Sequence, residues 1–273
     1  SSANSLFQGS KIESIELRRF PSSITDFFLV ANNCANLKTI DFTNCIQDST
    51  SWASALEKVG TITSMTGLET LNASDGVDLS SMFFGTDLSN IGIIDMSGMT
   101  CKIGYAPQFG NTKVTTIKMG FDWVNITGNL PGAMFAGFYT LEHVEWGRNL
   151  KSNFVQNTGL SNHNKLTVQS LLNLFNTLYD FSTDGGTHTV IIGATNIAKL
   201  TREQMLIAIK KHWTIQGAPI QGVFRDTDIS KLTSDDTVTA VAIELTADNY
   251  LTRIDEVLGV YPNAVDVYFF DDG

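Results

Sequence analysis

Basic residues are scarce in this chain of 273 residues: 18 Lys and Arg stand against 28 Asp and Glu, a formal net charge of -10. No basic run exceeds the pairs Arg18-Arg19 and Lys210-Lys211. The clustered cations that bind nucleic-acid phosphates by counterion release are therefore missing, and an anionic membrane surface is disfavoured for the same reason. No stretch of about eighteen consecutive apolar residues occurs, so no membrane insertion is expected. Cysteine is sparse too. Cys34, Cys45 and Cys101 are too few for a disulfide framework. They read as small buried apolar residues, in keeping with assembly in a reducing cytosol. The chain opens Ser1-Ser2-Ala3-Asn4, with no Met, basic n-region or apolar h-region, and so reads as a fragment or processed product.

Catalytic signatures are also wanting. There is no His-Glu-x-x-His, Gly-x-Ser-x-Gly, phosphate-binding Gly-rich loop or Cys-x-x-Cys, and His143, His163, His188 and His212 are dispersed. The expectation is a protein without enzymatic activity, cofactor or metal. Asp226, Asp228, Asp235 and Asp236 supply hard oxygen ligands, but their loop lacks the Gly and closing Glu of the helix-loop-helix calcium pattern and reads as a solvated acidic loop.

What is present is repetition. Six segments share the spacing apolar-x-x-apolar-x-apolar, beginning at Ile12, Leu37, Leu68, Ile91, Val114 and Leu141, with intervals of 25, 31, 23, 23 and 27 residues. These intervals bracket the leucine-rich-repeat period. The last four residues of each segment alternate, so the second and third apolar side chains share one strand face. One such unit cannot bury its own apolar edge, which predicts stacking of successive units into a parallel sheet along a solenoid. Bulky residues followed by Gly recur ahead of strands: Leu6-Phe7-Gln8-Gly9, Met82-Phe83-Phe84-Gly85 and Met134-Phe135-Ala136-Gly137, with Phe28-Leu29-Val30-Ala31 and Phe109-Gly110 as weaker versions. An antiparallel sandwich of six ordinary strands leaves that element unexplained. The long interval after Leu37 holds residues 51–58, read as a short inserted helix.

From about residue 150 the period changes. Residues 166–178 have helical spacing with Thr167 as N-cap. A Gly-Gly turn at 185–186, a strand at 188–192, a helix from Thr201 ending in Lys210-Lys211 and a strand at Trp213-Thr214-Ile215 complete a terminal cap. Residues 1–217 thus form one unit. Residues 218–273 form a second, small acidic one: a strand at 238–245, a helix to about 258 and a strand at 264–270, expected to be parallel and to lean on the solenoid or another chain. It carries 3 basic and 11 acidic side chains, leaving 15 and 17 on residues 1–217.

The Met-Phe-x-Gly elements ahead of short Leu-x-x-Leu-x-Leu strands resemble the BspA-type leucine-rich-repeat proteins. The block Leu166-Thr-Val-Gln-Ser-Leu-Leu, Gly193-Ala-Thr-Asn, Leu200-Thr-Arg-Glu-Gln204 and Lys211-His-Trp-Thr-Ile215 is similar to a closing segment of that family. The resemblance covers residues 6–217. It implies an α/β leucine-rich-repeat solenoid with irregular repeats. It also implies a recognition or adhesion role toward a protein or glycan at a cell surface, on a phage virion, as a tail or fibre part, or on a bacterial surface.

With the fourth and sixth positions turned inward, the third and fifth face out in rows about 4.8 Å apart. The third-position row reads Ser14, Thr39, Thr70, Ile93, Thr116 and His143; the fifth reads Glu16, Asp41, Asn72, Asp95, Lys118 and Glu145. Glu16 and Asp41 are expected to repel, which suits a cationic or hydrogen-bonding partner. Trp52 and Trp123 are candidate contact aromatics, whereas Trp146 and Trp213 fall at inward positions.

Overall fold

The computed structural model describes residues 1–43, 45, 48–126, 130, 134–137, 139–153, 160–183, 188–216, 223–225, 240–244 and 266–270. The architecture is α/β, with short parallel sheets and few helices. Strands run in the order β1 (Ser14–Glu16), β2 (Thr39–Asp41), β3 (Ser49–Ser51), β4 (Ser64–Thr66), β5 (Ala73–Asp78), β6 (Ile93–Met96), β7 (Ile103–Tyr105), β8 (Thr116–Met119) and β9 (His143–Glu145). They form three sheets, β1-β2-β4, β6-β8-β9 and β3-β5-β7, the first two in unbroken parallel register. The fourth-position side chains Ile15, Ile40, Ile94, Ile117 and Val144 are all buried, as the alternation requires.

One of the six segments departs from expectation. Leu68–Thr70 is a 3-10 turn, not a strand, and the neighbour of β2 is β4, in the segment Ile62-Thr-Ser-Met65-Thr-Gly67. That segment begins 25 residues after Leu37, but its sixth position is Gly67, so the apolar pattern hides it. Gly67 has φ +76, and a Cβ there would meet the Thr43 backbone nitrogen at 2.2 Å, so close coil stacking excludes the apolar side chain the pattern asks for. β6 packs beside the 3-10 turn rather than pairing with β4, which divides the strand face in two.

The expected inserted helix at 51–58 is also corrected. Trp52 to Lys58 is a run of tight turns belonging to a ladder that links successive coils from Ala3 to Phe84 and continues in part to Ala136. Ala3, Ser5, Phe7 and Gly9 donate their N–H groups to the carbonyls of Asp26, Phe28, Val30 and Asn32 at 2.8 to 3.0 Å. Phe27, Leu29, Ala31 and Asn33 donate to Ser51, Ala53, Ala55 and Glu57, and Trp52, Ser54, Leu56 and Lys58 to Asp78, Ser80, Met82 and Phe84. Gly85 then donates to Gly110, and Asn111 to Ala136. Alternate residues bond to the next coil while those between close local turns, a pattern incompatible with i to i-4 helix bonds. Two columns of left-handed residues set it: Ser5, Leu29, Ser54 and Ser81, and four residues on, Gly9, Asn33, Lys58, Gly85, Asn111 and Gly137. The three glycines of the bulky-plus-Gly elements fall in the second column. Its member in the second coil is Asn33, so the true counterpart of Leu6-Phe7-Gln8-Gly9 is Val30-Ala31-Asn32-Asn33.

The core lies between the ladder and the strands. Phe27 stacks on Trp52 with centroids 4.2 Å apart, and Phe109 on Phe135 at 6.0 Å. Cys34, Cys45 and Cys101 are buried, as expected. Burial pushes the Cys101 thiol up to about 11.

The closing block keeps its expected helix-strand-helix-strand order with one short helix added: α1 (Val168–Thr177), β10 (His188–Ile191), the unexpected α2 (Ala194–Ile197), α3 (Arg202–Ile209) and β11 (Trp213–Gln216). The Thr167 hydroxyl accepts from the Ser170 N–H at 3.2 Å, and Thr201 forms a capping box with Gln204. β10 and β11 pair in parallel. α1 covers the open edge of β9 with side chains: the Val144 N–H donates to Ser170 Oγ at 2.9 Å and the Trp146 N–H to Asn173 Oδ1 at 2.8 Å. Lys211, just past the end of α3, donates to the carbonyls of Phe175, Asn176 and Leu178 where α1 ends. Lys199 holds the carbonyls of Asn164 and Leu166 in the same way. Burial lowers the pKa of both ammonium groups. The expected Gly-Gly turn lies outside the described residues.

In the C-terminal region β12 (Val223–Arg225), β13 (Ala240–Glu244) and β14 (Asp266–Phe270) form a parallel sheet in that order. The two expected strands are present and parallel; β12, in a segment read as a loop, is added. β14 lies against α3. The expected helix to about 258 and the four aspartates at 226, 228, 235 and 236 lie outside the described residues.

Candidate functional site

The polar strand face is built from the third and fifth positions of two sheets. Register places Ser14, Thr39 and Ser64 side by side, and likewise Glu16, Asp41 and Thr66. In the second sheet the rows are Ile93, Thr116 and His143, and Asp95, Lys118 and Glu145. Thr70 and Asn72 fall out of these rows with the 3-10 turn; the exposed Asn72 gives its carbonyl to Ser49 Oγ. Thr66 takes the place expected for Asn72.

The expected repulsion between Glu16 and Asp41 is relieved by arginines that directly follow β1. Arg19 Nε lies 2.6 Å and Arg18 Nη2 2.9 Å from the Glu16 carboxylate, and Arg18 Nε reaches Asp41 at 3.6 Å. The Arg19 hydrogen bond holds the Glu16 pKa below the usual carboxylate range. Asp41 Oδ1 accepts from the Thr43 N–H at 2.8 Å and Thr66 Oγ1 at 2.9 Å, bonds that lower its pKa, those to Thr43 first. Asp95 accepts from the Ser97 N–H at 3.0 Å and hydroxyl at 2.6 Å, with Lys118 Nζ 3.7 Å away. His143 Nε2 lies 3.2 Å from Glu145.

Two kinds of carboxylate follow. Asp41 and Asp95 turn the chain at strand ends, as an Asp two residues ahead of a backbone N–H does. Glu16 and Glu145 bond only to side chains and remain partly exposed. The face is therefore close to charge-balanced, and its outward chemistry is hydroxyl, carboxylate, ammonium and imidazole. The missed participants, Arg18, Arg19, Ser64 and Thr66, carry no repeat signal of their own; Arg18 and Arg19 were legible only as polar residues immediately after a strand.

Trp52 and Trp123 are corrected: both are fully buried and present no surface. Trp52 donates from Nε1 to Ser49 Oγ at 2.5 Å, and Trp123 to the Trp146 carbonyl. Trp52 occupies the ladder position of Phe27, a core column visible once Asp26 and Ser51 are aligned. Trp146 and Trp213 are buried as expected. Among the described residues the exposed aromatic side chains are Phe28, Tyr105 and Tyr139.

The histidines are not brought together by the fold. His143 is on the face, and His163 is buried beside Phe135 with its pKa pushed down to about 4 by desolvation. His188 stacks on Phe181. Among the described residues no group of three His, Cys, Asp or Glu side chains is placed to hold a metal, and no helix is long and apolar enough to cross a membrane. No protein-family model, curated protein or solved structure matches the chain.

Proposed function

We propose that the stacked coils are a leucine-rich-repeat solenoid of the BspA type, acting as a non-enzymatic recognition or adhesion module. Its partner is a protein or glycan at a cell surface, and its setting a phage virion, in a tail or fibre, or a bacterial surface. The observation that carries the reading is the in-register array of partly exposed hydroxyls and balanced charges on the strand face. A surface whose carboxylates already have cationic neighbours gains little from a basic patch and more from a partner that shares hydrogen bonds, such as sugar hydroxyls or a polar protein surface.

Glycan-array and whole-cell binding test this with Ser64→Ala, Lys118→Ala and Glu145→Gln, which leave the turn-forming Asp41 and Asp95 intact. Binding reduced about tenfold or more, a loss of about 1.4 kcal/mol, is expected; undisturbed binding removes the strand face as the site. The exposed Phe28, Tyr105 and Tyr139 favour a second reading, a purely structural subunit packed against neighbouring chains. That reading requires concentration-dependent assembly in light scattering and no effect of the three variants.

A further inference from the structure

Two aromatic rings reach solvent on a flank of the stack away from the strand face. Phe28 is 40% and Tyr105 63% exposed, whereas the inward-facing Phe27 and Trp52 are fully buried. The two share one side of the ladder that runs through β3, β5 and β7: Asp26 pairs with Ser51, Ser51 with Asp78 and Asp78 with Tyr105. Phe28 follows Asp26 by two residues, with the buried Phe27 between, and so faces the same way as Asp26. Both rings lie on inner coils. The Ala3 N–H donates to the Asp26 carbonyl on one side, and Lys102 pairs with Asp122 on the other. The exposure is therefore a property of the flank and not of an end of the stack.

Each ring has a carboxylate for a neighbour. Asp26 Oδ1 accepts from the Phe28 N–H at 3.1 Å, and Asp78, opposite Tyr105, accepts from the Ser80 N–H at 2.9 Å and hydroxyl at 2.6 Å. Neither carboxylate has a cationic partner among the described residues, and Lys102, three residues before Tyr105, pairs with Asp75 at 3.8 Å instead. The strand face differs, since Arg18 and Lys118 stand against its carboxylates. Between the two rings the surface is low, because the small residues Ser51, Ala53 and Ser80 occupy the intervening coils.

We infer that this flank is a docking surface for a basic segment of a neighbouring protein, which runs along the stack and sets one Arg or Lys over Phe28 against Asp26 and a second over Tyr105 against Asp78. A cation over an aromatic face is held by the ring and held again by the carboxylate beside it. Charge complementarity selects the occupant: a neutral partner leaves both carboxylates unpaired beneath it, and an acidic one is repelled. The two positions are between two and three coils apart, roughly 12 Å at about 4.8 Å per coil, which an extended segment spans in about four residues. Four residues also return a side chain to the same face, so the segment carries its cations at i and i+4. The inference adds the chemistry of the neighbour to the packing reading, with which it shares Phe28 and Tyr105, and does not depend on the strand face.

Fluorescence anisotropy of the full chain with a labelled Gly-Ser peptide carrying two Arg residues four apart tests this at low salt. The peptide is expected to bind at least about tenfold more tightly than the same peptide with Gln at both places, and the difference to shrink as salt is raised. Tyr105→Ala, Phe28→Ala and Asp78→Asn are each expected to weaken binding about three- to tenfold, and Tyr105→Phe to keep it. Glu13→Gln removes one negative charge from another side of the stack and is expected to leave binding unchanged, which separates docking on this flank from attraction to the net charge. Equal binding of the Gln peptide, equal weakening by Glu13→Gln, or no effect of Tyr105→Ala and Asp78→Asn would overturn the inference. So would binding of a neutral oligosaccharide, lost in Tyr105→Ala, by a chain that ignores the Arg peptide. Light scattering of the chain alone tests the packing reading separately.

Discussion

The stacked coils and the closing block meet the same backbone demand in different ways. From Ala3 to Ala136 the groups between coils are satisfied mainly by the next coil's backbone, with side chains serving at Val59 and Lys102, whose N–H groups donate to Thr86 Oγ1 and Asp75 Oδ1. From α1 onward side chains do it: Ser170 and Asn173 accept the N–H groups of β9, and Lys199 and Lys211 hold carbonyls at helix and turn ends. Backbone ladders tolerate almost any side chain that fits, so the coils vary freely in sequence. The closing block depends on particular polar residues at helical spacing, three apart on α1, and it is the more distinctive stretch for that reason.

The largest expected effect probes how close the coils lie. A Cβ on Gly120 would stand 2.1 Å from the Ser97 carbonyl oxygen, a backbone atom with no means of yielding cheaply. Gly120→Ala is expected to cost about 3 kcal/mol in denaturant unfolding; a neutral result would mean that the coils separate easily and would undo the contrast.

Next comes the closing block. Asn173→Leu leaves the Trp146 N–H without its acceptor, and a loss of about 2 kcal/mol is expected. Because the demand lies at one atom, Asn173→Asp, which keeps an acceptor, is expected to lose less. Equal losses would show that the helix covers β9 by packing alone.

A smaller effect concerns pairing between coils. Asp87 is bonded to Lys113 at 2.7 Å and to the Ser89 N–H at 3.0 Å, and its pKa falls to about 2 from the ordinary 3.8, the Lys113 bond being the leading cause. A depressed carboxylate pKa stabilises the fold above the unfolded value, and that contribution is lost as pH falls from about 4 toward 2. Allowing for the solvent exposure of the pair, about 1 kcal/mol is expected. Asp87→Asn should remove it at pH 7, and the wild-type and variant stabilities should converge near pH 2.

The smallest effect is a gain. Lys58 sits at φ +53 in the left-handed column whose other members are Gly9, Asn33, Gly85, Asn111 and Gly137. Lys58→Gly is expected to stabilise by about 0.5 kcal/mol, the relief of left-handed strain less the entropy of a freer unfolded chain. A loss instead would show that the Lys58 side chain contributes more to packing than its strain costs.

Much of this was legible in particular residues. Ile15, Ile40, Ile94, Ile117 and Val144 announced buried strand positions by alternation, and Thr167 and Thr201 announced helix starts. β4 was not legible because Gly67 replaces the last apolar residue, and the apolar Leu68 just beyond imitates a repeat start. The turn ladder was hidden as well: Trp52 to Lys58 carries helix-forming residues, and only bonds to the next coil decide against helix. On the strand face the two rows were readable, and so in principle were the local Arg18 and Arg19 pairs with Glu16, but the reach of Arg18 to Asp41 on the next strand has no spacing rule.

The sequence by itself determined which strand side chains go inward and where helices α1 and α3 begin, because those follow from local periodicity and capping. Tertiary structure alone decided that Arg18 reaches Asp41 on the neighbouring strand and that Trp52 and Trp123 belong to the core. Each depends on which backbone lies alongside, and that neighbour is some 25 residues away in the chain.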